Sequence, residues 1–199
     1  MTPPRVLVIG ASCQVGHFLL PLLRAEGVEV HAASRRDQAP VVGVRWHRAE
    51  LPGAMPGPFP YDGILCFAPL DAVAQWLSTL EARPAGGIVA TSSMSVLTKK
   101  TSADPAERML VERLDAGERA LQQECRRLGM AWSLIRPTLI YGAGMDRSLS
   151  PIARRAMRWR VCPVPRGRGW RQPVHAADVA EASWRALRTP DANGRVFEL

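Results

Sequence analysis

The sequence predicts an α/β fold built on a doubly wound parallel sheet. Apolar runs of strand length alternate with segments of helical length, and a glycine-rich turn separates the first such run from the first helix. A fully apolar run at residues 63–67 has the pattern of a strand covered on both faces. With 199 residues, 47% of them hydrophobic, the chain can bury one good core. We therefore expect a single domain over residues 1–199.

The first half of the chain is predicted to hold five strands and two helices. The first helix has apolar positions at helical spacing and ends before Gly27. A loop rich in Pro and Gly, residues 52–60, precedes the fourth strand. The predicted strands are residues 5–9, 28–33, 42–47, 63–67 and 87–91, and the predicted helices are residues 14–25 and 72–82.

In the second half, a long helix is predicted over residues 104–128, with Asp104 as its cap and Pro105 in its first turn. A sixth strand follows at residues 131–135. Beyond Pro137 the pattern loosens. The remaining predictions are helices at residues 148–159 and 177–187, a loop at residues 163–170 and a last strand at residues 195–199.

The composition argues against several classes of protein. No apolar run approaches the about 20 residues that cross a bilayer, and the N-terminal residues lack signal-peptide features. We therefore expect a cytoplasmic protein without a membrane partner. The four cysteines are far apart and form no Cys-x-x-Cys, so free thiols and no metal site are expected. The net charge of +8 is compatible with nucleic-acid binding. However, nearly all of the basic residues are arginines, a composition that coding bias would also produce, and we do not expect a nucleic-acid partner.

The strongest local signal is the turn between the first strand and the first helix. A glycine at its start allows a tight turn, the helix start directs N–H groups at a pyrophosphate, and a glycine in the helix lets it pack closely. The cysteine in this turn is either a thiol activated by the helix N-terminus or a small filler. The turn residues predicted to contact a dinucleotide are Gly10, Ser12, Cys13, Gln14, Val15 and Gly16.

The end of the second strand, Ser34-Arg35-Arg36, indicates which dinucleotide binds. An acidic residue here would accept hydrogen bonds from the ribose hydroxyls of NAD. Two guanidinium groups and a hydroxyl instead suit the 2′-phosphate of NADP. NADP is thus the predicted cofactor, with NAD as the alternative, although the two arginines are also compatible with a solvated surface.

Several further segments match one family in the right order. They are Glu50-Leu51, Phe67-Ala68-Pro69, the residues from Thr91 to Val96, the residues from Leu134 to Gly142, and the late Val174-His175-Ala176-Ala177-Asp178-Val179-Ala180. Together with the glycine turn, they resemble the extended and atypical short-chain dehydrogenases/reductases, the NAD-dependent epimerase/dehydratase family. In that family the turn has the pattern Gly-x-x-Gly-x-x-Gly, and here Cys13 stands at the position of the middle glycine. The resemblance implies a Rossmann fold with a small, reduced C-terminal substrate lobe within residues 138–199.

The resemblance also implies roles for residues. Glu50 and Leu51 would lie against the adenine, and Phe67, Ala68 and Pro69 would line the ribose and pyrophosphate. Thr91, Pro137 and Thr138 would also contact the cofactor. Ser93 matches the catalytic serine. His175 is expected to be structural and oriented by Asp178, with an acid/base role as the alternative.

The chain departs from the family at its acid/base pair. The usual mechanism relies on a Tyr-x-x-x-Lys helix, whereas this sequence has only Tyr61 and Tyr141, neither followed by lysine four residues later. Alignment places Leu110 and Leu114 at the two positions. The expected function is an NADP-binding oxidoreductase or epimerase/dehydratase-like protein of atypical mechanism. The alternative is a non-catalytic, NADP-responsive regulator.

A basic segment follows the family motifs. Residues 147–171 hold eight arginines, two tryptophans and no acidic residue. The segment suits either a phosphorylated small-molecule substrate such as a nucleotide-sugar, or a solvated basic face. The sequence leaves the oligomeric state open.

Overall fold

The computed structural model describes residues 2–57, 59–161 and 172–199. Its strands are β1 (Arg5–Ile9), β2 (Glu29–Ser34), β3 (Val44–Arg48), β4 (Gly63–Cys66), β5 (Gly87–Thr91), β6 (Ala131–Arg136), β7 (Leu139–Tyr141), β8 (Pro173–His175) and β9 (Arg195–Glu198). Its α-helices are α1 (Gln14–Ala25), α2 (Leu70–Ser78), α3 (Ser95–Thr98), α4 (Pro105–Leu128), α5 (Leu149–Trp159) and α6 (Ala176–Arg188). A short 3-10 helix spans Pro190–Ala192.

Seven strands form one parallel sheet in the order β3-β2-β1-β4-β5-β6-β9. The order reverses direction between β1 and β4, as a doubly wound Rossmann sheet requires. The predicted fold class is therefore confirmed. Two short strands, β7 and β8, pair with each other outside this sheet.

Each face of the sheet is covered by helices. On one face, Leu7, Ile64 and Ile88 of the strands pack with Trp76 of α2 and Leu121 of α4. On the other face, Val8 and Leu65 pack with side chains of α1 and α6, among them Leu19 and Val179. The two-sided burial explains why β4 is apolar throughout.

Helix α4 begins and ends as its sequence predicts. The Asp104 side chain accepts a hydrogen bond from the Ala106 N–H at 2.9 Å, and Pro105 occupies the first position. Gly129 ends the helix with φ +64°, a left-handed conformation that glycine adopts without strain. These end signals are local in sequence, so the boundaries could be predicted closely.

Other boundaries differ from the prediction. Helix α2 spans Leu70–Ser78 rather than residues 72–82, because Pro69 stands at its N-cap and the Thr79 hydroxyl bonds back to the Trp76 carbonyl at 2.7 Å. Strands β2 and β3 begin one and two residues later than expected, and β4 ends one residue earlier. The short elements α3, β7 and β8 were not predicted.

The part of the chain after residue 138 divides between two places. Helix α6 and strand β9 belong to the main layers, since α6 packs on one face and β9 is an edge strand of the sheet. Strands β7 and β8 and helix α5 stand outside them. The predicted loop at residues 163–170 lies outside the described residues. Among the described residues, no helix is both long and apolar enough to cross a membrane.

Candidate functional site

A cavity of about 410 Å³ opens at the carboxyl ends of β1, β2, β3 and β4. This is the point at which the strand order reverses, where open α/β sheets bind their ligands. Ten residues that the sequence predicted to contact a dinucleotide line it. They are Gly10, Ser12, Cys13, Ser34, Arg35, Glu50, Leu51, Phe67, Ala68 and Pro69.

The two glycines of the turn are required by close approach. Gly10 has φ +75°, and a Cβ there would lie 3.1 Å from the Phe67 carbonyl carbon. At Gly16, a Cβ would lie 1.9 Å from the Ala11 carbonyl oxygen, so only glycine fits. The turn thus brings the start of α1 beside the end of β4. The first turn of α1 carries no acidic side chain, which leaves the positive end of the helix available to an anion.

Cys13 is the N-cap of α1. Its Sγ accepts a hydrogen bond from the Gly16 N–H at 3.4 Å. Burial is the dominant influence on the thiol and raises the pKa of Cys13, while the N–H groups of the turn oppose it. The raised pKa does not favour a thiol activated by the helix N-terminus, and the geometry is that of a small capping residue.

Ser34 organises the loop after β2. Its buried hydroxyl donates to the Ser12 hydroxyl at 3.2 Å and accepts from the Arg36 N–H at 3.3 Å and from Gln38 Nε2 at 3.2 Å. The loop is thereby tied to the glycine turn. Arg35 is exposed and lines the cavity, whereas Arg36 is exposed but is not among the lining residues.

Gln14 and Val15 lie beside the cavity rather than in its lining. Val15 is buried in the core between α1 and the sheet. The Gln14 Nε2 donates to the Ile140 carbonyl at 3.3 Å, and its Oε1 is buried without a hydrogen-bond partner. Both residues hold α1 in place, and Gln14 connects it to β7.

Four other predicted site residues lie at the ends of β5 and β6 and are not in the cavity lining. The Ser93 hydroxyl bonds the Ser95 hydroxyl at 3.1 Å and accepts from the Ser95 N–H at 3.2 Å. Thr91 Oγ1 is buried without a partner. Pro137 accepts from the Met94 N–H at 3.0 Å. Thr138 donates its N–H to the Leu199 carbonyl at 2.8 Å and its hydroxyl to the Gln172 carbonyl.

Glu118, a buried carboxylate on α4, supports this second group, and its contacts were not predicted. It is 3% exposed and accepts a bidentate pair from Arg136 of β6, at 2.9 and 2.5 Å. It also accepts from the Ser92 hydroxyl at 2.5 Å. The guanidinium–carboxylate pair raises the pKa of Arg136. One carboxylate thus links α4, β6 and the residue before Ser93.

The tyrosines and His175 have other partners. Tyr61 is buried and donates its hydroxyl to the Pro56 carbonyl at 2.9 Å. Tyr141 lies edge-on to His175, with ring centroids 5.1 Å apart. The His175 Nδ1 accepts from the Ala177 N–H at 3.2 Å and caps α6. The sequence analysis expected Asp178 to orient His175, but the backbone N–H of Ala177 does so instead.

A histidine pair lies next to the cavity on β2 and β3. The His31 Nδ1 is 3.0 Å from the His47 Nε2, and the rings are stacked 5.2 Å apart. The His31 Nε2 is 3.2 Å from a Glu29 oxygen, which Arg45 also approaches at 3.3 Å. Burial, followed by the charges of His31 and Arg45, lowers the pKa of His47. His47 is the register partner of Ala33, a cavity-lining residue.

The described residues contain no cluster of three or more His, Cys, Asp or Glu side chains that could hold a metal ion. Burial raises the pKa of Cys66 and of Cys125 to about 12. Cys13, Cys66 and Cys125 are all free thiols, whereas Cys162 lies outside the described residues. The C-terminal part of the basic segment, including Trp170, also lies outside the described residues.

Comparisons with known proteins agree with this fold. The model of the NAD dependent epimerase/dehydratase family matches residues 115–199. No curated protein is significantly similar to the chain in sequence. Many solved structures are similar in fold. One is MoeE5 in complex with UDP-glucose and NAD, with a TM-score of 0.78 and 20% identity over 98% of this chain and 75% of that chain.

Two epimerases give similar values. The UDP-N-acetylglucosamine 4-epimerase from Bacillus cereus has a TM-score of 0.75 and 14% identity, over 98% of this chain and 75% of that chain. The UDP-N-acetylglucosamine 4-epimerase from Methanobrevibacter ruminantium M1, in complex with UDP-N-acetylmuramic acid, has a TM-score of 0.76 and 14% identity, over 100% and 77%. The resemblance to the NAD dependent epimerase/dehydratase family is thus confirmed: residues 115–199 match its model, and the chain has the fold of these epimerases.

Proposed function

We propose that the chain binds NADP in the cavity at the carboxyl ends of β1 to β4 and acts as an oxidoreductase or epimerase/dehydratase-like enzyme of atypical mechanism. One observation carries the proposal: ten residues predicted from separate motifs line a single cavity at the switch point of the sheet. Tight turns alone would not bring them together.

The pyrophosphate would bind at the start of α1. Gly10 brings the turn against the end of β4, and the N-terminus of α1 offers N–H groups and the positive end of its dipole. Ser12 is exposed beside it. The half-buried Phe67 and Ala68 would cover the adjoining ribose.

Arg35 would hold the 2′-phosphate of NADP. It is the basic side chain in the lining, and Ser34 stands where a carboxylate would repel the phosphate. Because the Ser34 hydroxyl already has three partners, its role is to hold the loop rather than to contact the ligand. Arg35 is therefore assigned the larger share of NADP selectivity, and Arg36 a smaller one.

Calorimetric titration tests this assignment. NADPH should bind more tightly than NADH, because a charge-assisted phosphate contact contributes roughly 1.5 to 3 kcal/mol, or about 10- to 100-fold in affinity. Arg35→Ala should remove most of that difference, Arg36→Ala less, and the exposed Arg83→Ala none. Equal affinities for the two dinucleotides in the unmodified protein would refute the assignment.

The chemistry proposed for this site lacks the usual proton donor. Bound NADPH would supply a hydride to a substrate carbonyl carbon, or bound NADP⁺ would take one from a substrate alcohol, and Ser93 would orient the substrate oxygen. A missing proton-transfer group costs about 10² to 10⁴ in rate, so simple ketones should turn over slowly or not at all. The substrate class we propose is phosphorylated, such as a nucleotide-sugar, held by arginines of the basic segment. With such a substrate, Ser93→Ala should lower turnover more than it weakens NADPH binding.

A second candidate is a non-catalytic, NADP-responsive regulator. It is favoured by two leucines, Leu110 and Leu114, at the positions of the usual acid/base pair and by the bonding of the Ser93 hydroxyl within its own turn. Stopped-flow mixing separates the two candidates: the NADPH-bound protein is mixed with keto nucleotide-sugars, which can accept the hydride, and the NADP⁺-bound protein with nucleotide-sugars that carry only alcohols, which can donate it. Oxidation of bound NADPH or reduction of bound NADP⁺, slowed by Ser93→Ala, supports the enzyme. Tight NADPH binding with no change in the redox state of the cofactor in either mixture supports the regulator.

A further inference from the structure

Helix α5 presents an exposed apolar face. None of its residues is buried, although it carries large apolar side chains. Met157 is 78% exposed, Trp159 62% and Ile152 45%, and Val161 just beyond the helix is 63% exposed. Single exposed apolar residues are ordinary, but a cluster of this kind within one short segment marks an interaction surface.

The charged side chains of α5 are arginines on the opposite face. Positions 149, 152, 153 and 156 follow the i, i+3, i+4, i+7 spacing of one helix face, with 157 and 159 at its borders. Arg154, Arg155 and Arg158 project from the other side. The Arg155 guanidinium carbon lies 5.8 Å from the centre of the Trp159 ring, so the two faces meet at this pair.

The positive charge of this surface has no acidic counterpart in the same segment. Residues 147–161 contain five arginines and no aspartate or glutamate. The preceding acid, Asp146, is turned toward the helix backbone, where its carboxylate accepts from the N–H groups of Leu149 at 2.7 Å and Ser150 at 2.8 Å. It also accepts from the Ser150 hydroxyl. The surface therefore suits an anionic partner.

We propose that α5 docks in the headgroup region of an anionic lipid bilayer, with its apolar face inserted and its arginines among the lipid phosphates. A basic amphipathic helix with Trp at its border has the composition of interfacial helices. A second copy of this chain is disfavoured, because a symmetric contact would place arginines against arginines. Duplex nucleic acid would bind the arginines but leave Ile152 and Met157 in water. Docking of this kind does not require a membrane-spanning helix, and the described residues contain none.

Co-sedimentation of the full chain with vesicles tests the proposal. The protein should bind vesicles of phosphatidylcholine containing phosphatidylserine and not vesicles of phosphatidylcholine alone. Binding should weaken as salt rises from about 0.1 M to about 1 M, because the attraction is screened. Arg154→Gln with Arg155→Gln should lower the partition coefficient roughly 20- to 30-fold, at about fivefold for each arginine. Met157→Ser should lower it about tenfold.

Matched controls separate the surface from the rest of the chain. Met109 on α4 is 69% exposed, so Met109→Ser removes a comparable apolar side chain elsewhere, and Arg83→Gln removes an exposed arginine elsewhere. Both should bind vesicles as the unmodified protein does. The thermal unfolding midpoint of every variant verifies that it is folded, independently of NADPH binding. Failure to bind anionic vesicles, equal binding to both vesicle types, or equal losses in the controls would each overturn the proposal. Tight binding to duplex DNA or polyglutamate without vesicle binding would also overturn it.

Discussion

Replacing Glu118 by glutamine should lower the free energy of unfolding more than the matched replacement of Asp115, an exposed acid on the same helix, by asparagine. The carboxylate is 3% exposed and accepts three short hydrogen bonds, two from Arg136 and one from Ser92. An amide has one oxygen and an NH₂ group that can only donate. Because Arg136 donates to both carboxylate oxygens, the NH₂ group of Glu118→Gln would face an Arg136 donor in either orientation of the amide.

The expected magnitude follows from this burial. Removing one partner of a buried ion pair costs about 3 to 5 kcal/mol, because the other charge stays desolvated and unpaired. The Arg136 side chain is 16% exposed and can reach some water, so we expect the lower end of this range, about 3 kcal/mol. Ser92→Ala removes only one hydrogen bond to the carboxylate and should cost about 1.5 to 3 kcal/mol. In a domain of marginal stability, either loss is a large fraction of the free energy of unfolding.

Urea unfolding followed by circular dichroism measures these values. Asp115→Asn is the matched control, since Asp115 pairs with Arg119 at 2.7 Å on the same helix but is 46% exposed. It should cost less than about 0.5 kcal/mol. In the double variant Glu118→Leu/Arg136→Met, apolar packing replaces both charges, and most of the stability should return. A Glu118→Gln variant that loses no more stability than Asp115→Asn would refute this account of the network.

Three further predictions rest on single side chains. Burial and neighbouring charge lower the pKa of His47 below its unfolded value, so as the pH falls the unfolded chain binds this proton at a higher pH than the folded chain. The free energy of unfolding should therefore keep its full value above about pH 6.5 and decrease below that pH. Urea midpoints measured across this range check the prediction, and His47→Gln should flatten the dependence. Since burial raises the pKa of Cys13, iodoacetamide at neutral pH should modify it more slowly in the folded chain than in the urea-unfolded chain, as peptide mass spectrometry can measure. Gly16→Ala should cost about 3 kcal/mol or more, since the new Cβ would lie 1.9 Å from a backbone oxygen, whereas Gly27→Ala meets no atom within 4 Å and should cost only about 1 to 2 kcal/mol for its positive φ.

The sheet was predictable because its signals are local. The strands β1, β5 and β6 are short apolar runs bounded by turns, and α4 carries its cap at Asp104 and its end at Gly129. Strands β7 and β8 were not predictable, because each has three residues and its partner lies more than thirty positions away in the sequence. Their pairing depends on tertiary structure, which periodicity does not report.

The candidate site was predictable where motifs carry a geometric requirement and not where contacts are tertiary. The glycine turn and the ends of β2 and β4 meet around one cavity, as their motifs implied. The Glu118 network was missed, although the sequence held a sign of it. The apolar positions Val111, Leu121 and Cys125 follow helical spacing, and Glu118 occupies a core position among them. A carboxylate at such a position requires a buried cation, and Arg136 was the candidate at the end of β6.

The same network distinguishes the two functions proposed for this chain. A buried ion pair contributes little net stability compared with apolar packing, but it fixes the positions of the groups it joins. Here it joins α4, β6 and Ser92, and so fixes the segment that carries Ser93. The cavity that would hold NADP is formed by other strands, β1 to β4. The double variant Glu118→Leu/Arg136→Met should therefore keep NADPH affinity in either case. If the chain is an enzyme, its turnover of a true substrate should fall, because Ser93 loses its fixed position. If the chain is a regulator, the response to NADPH should survive unchanged.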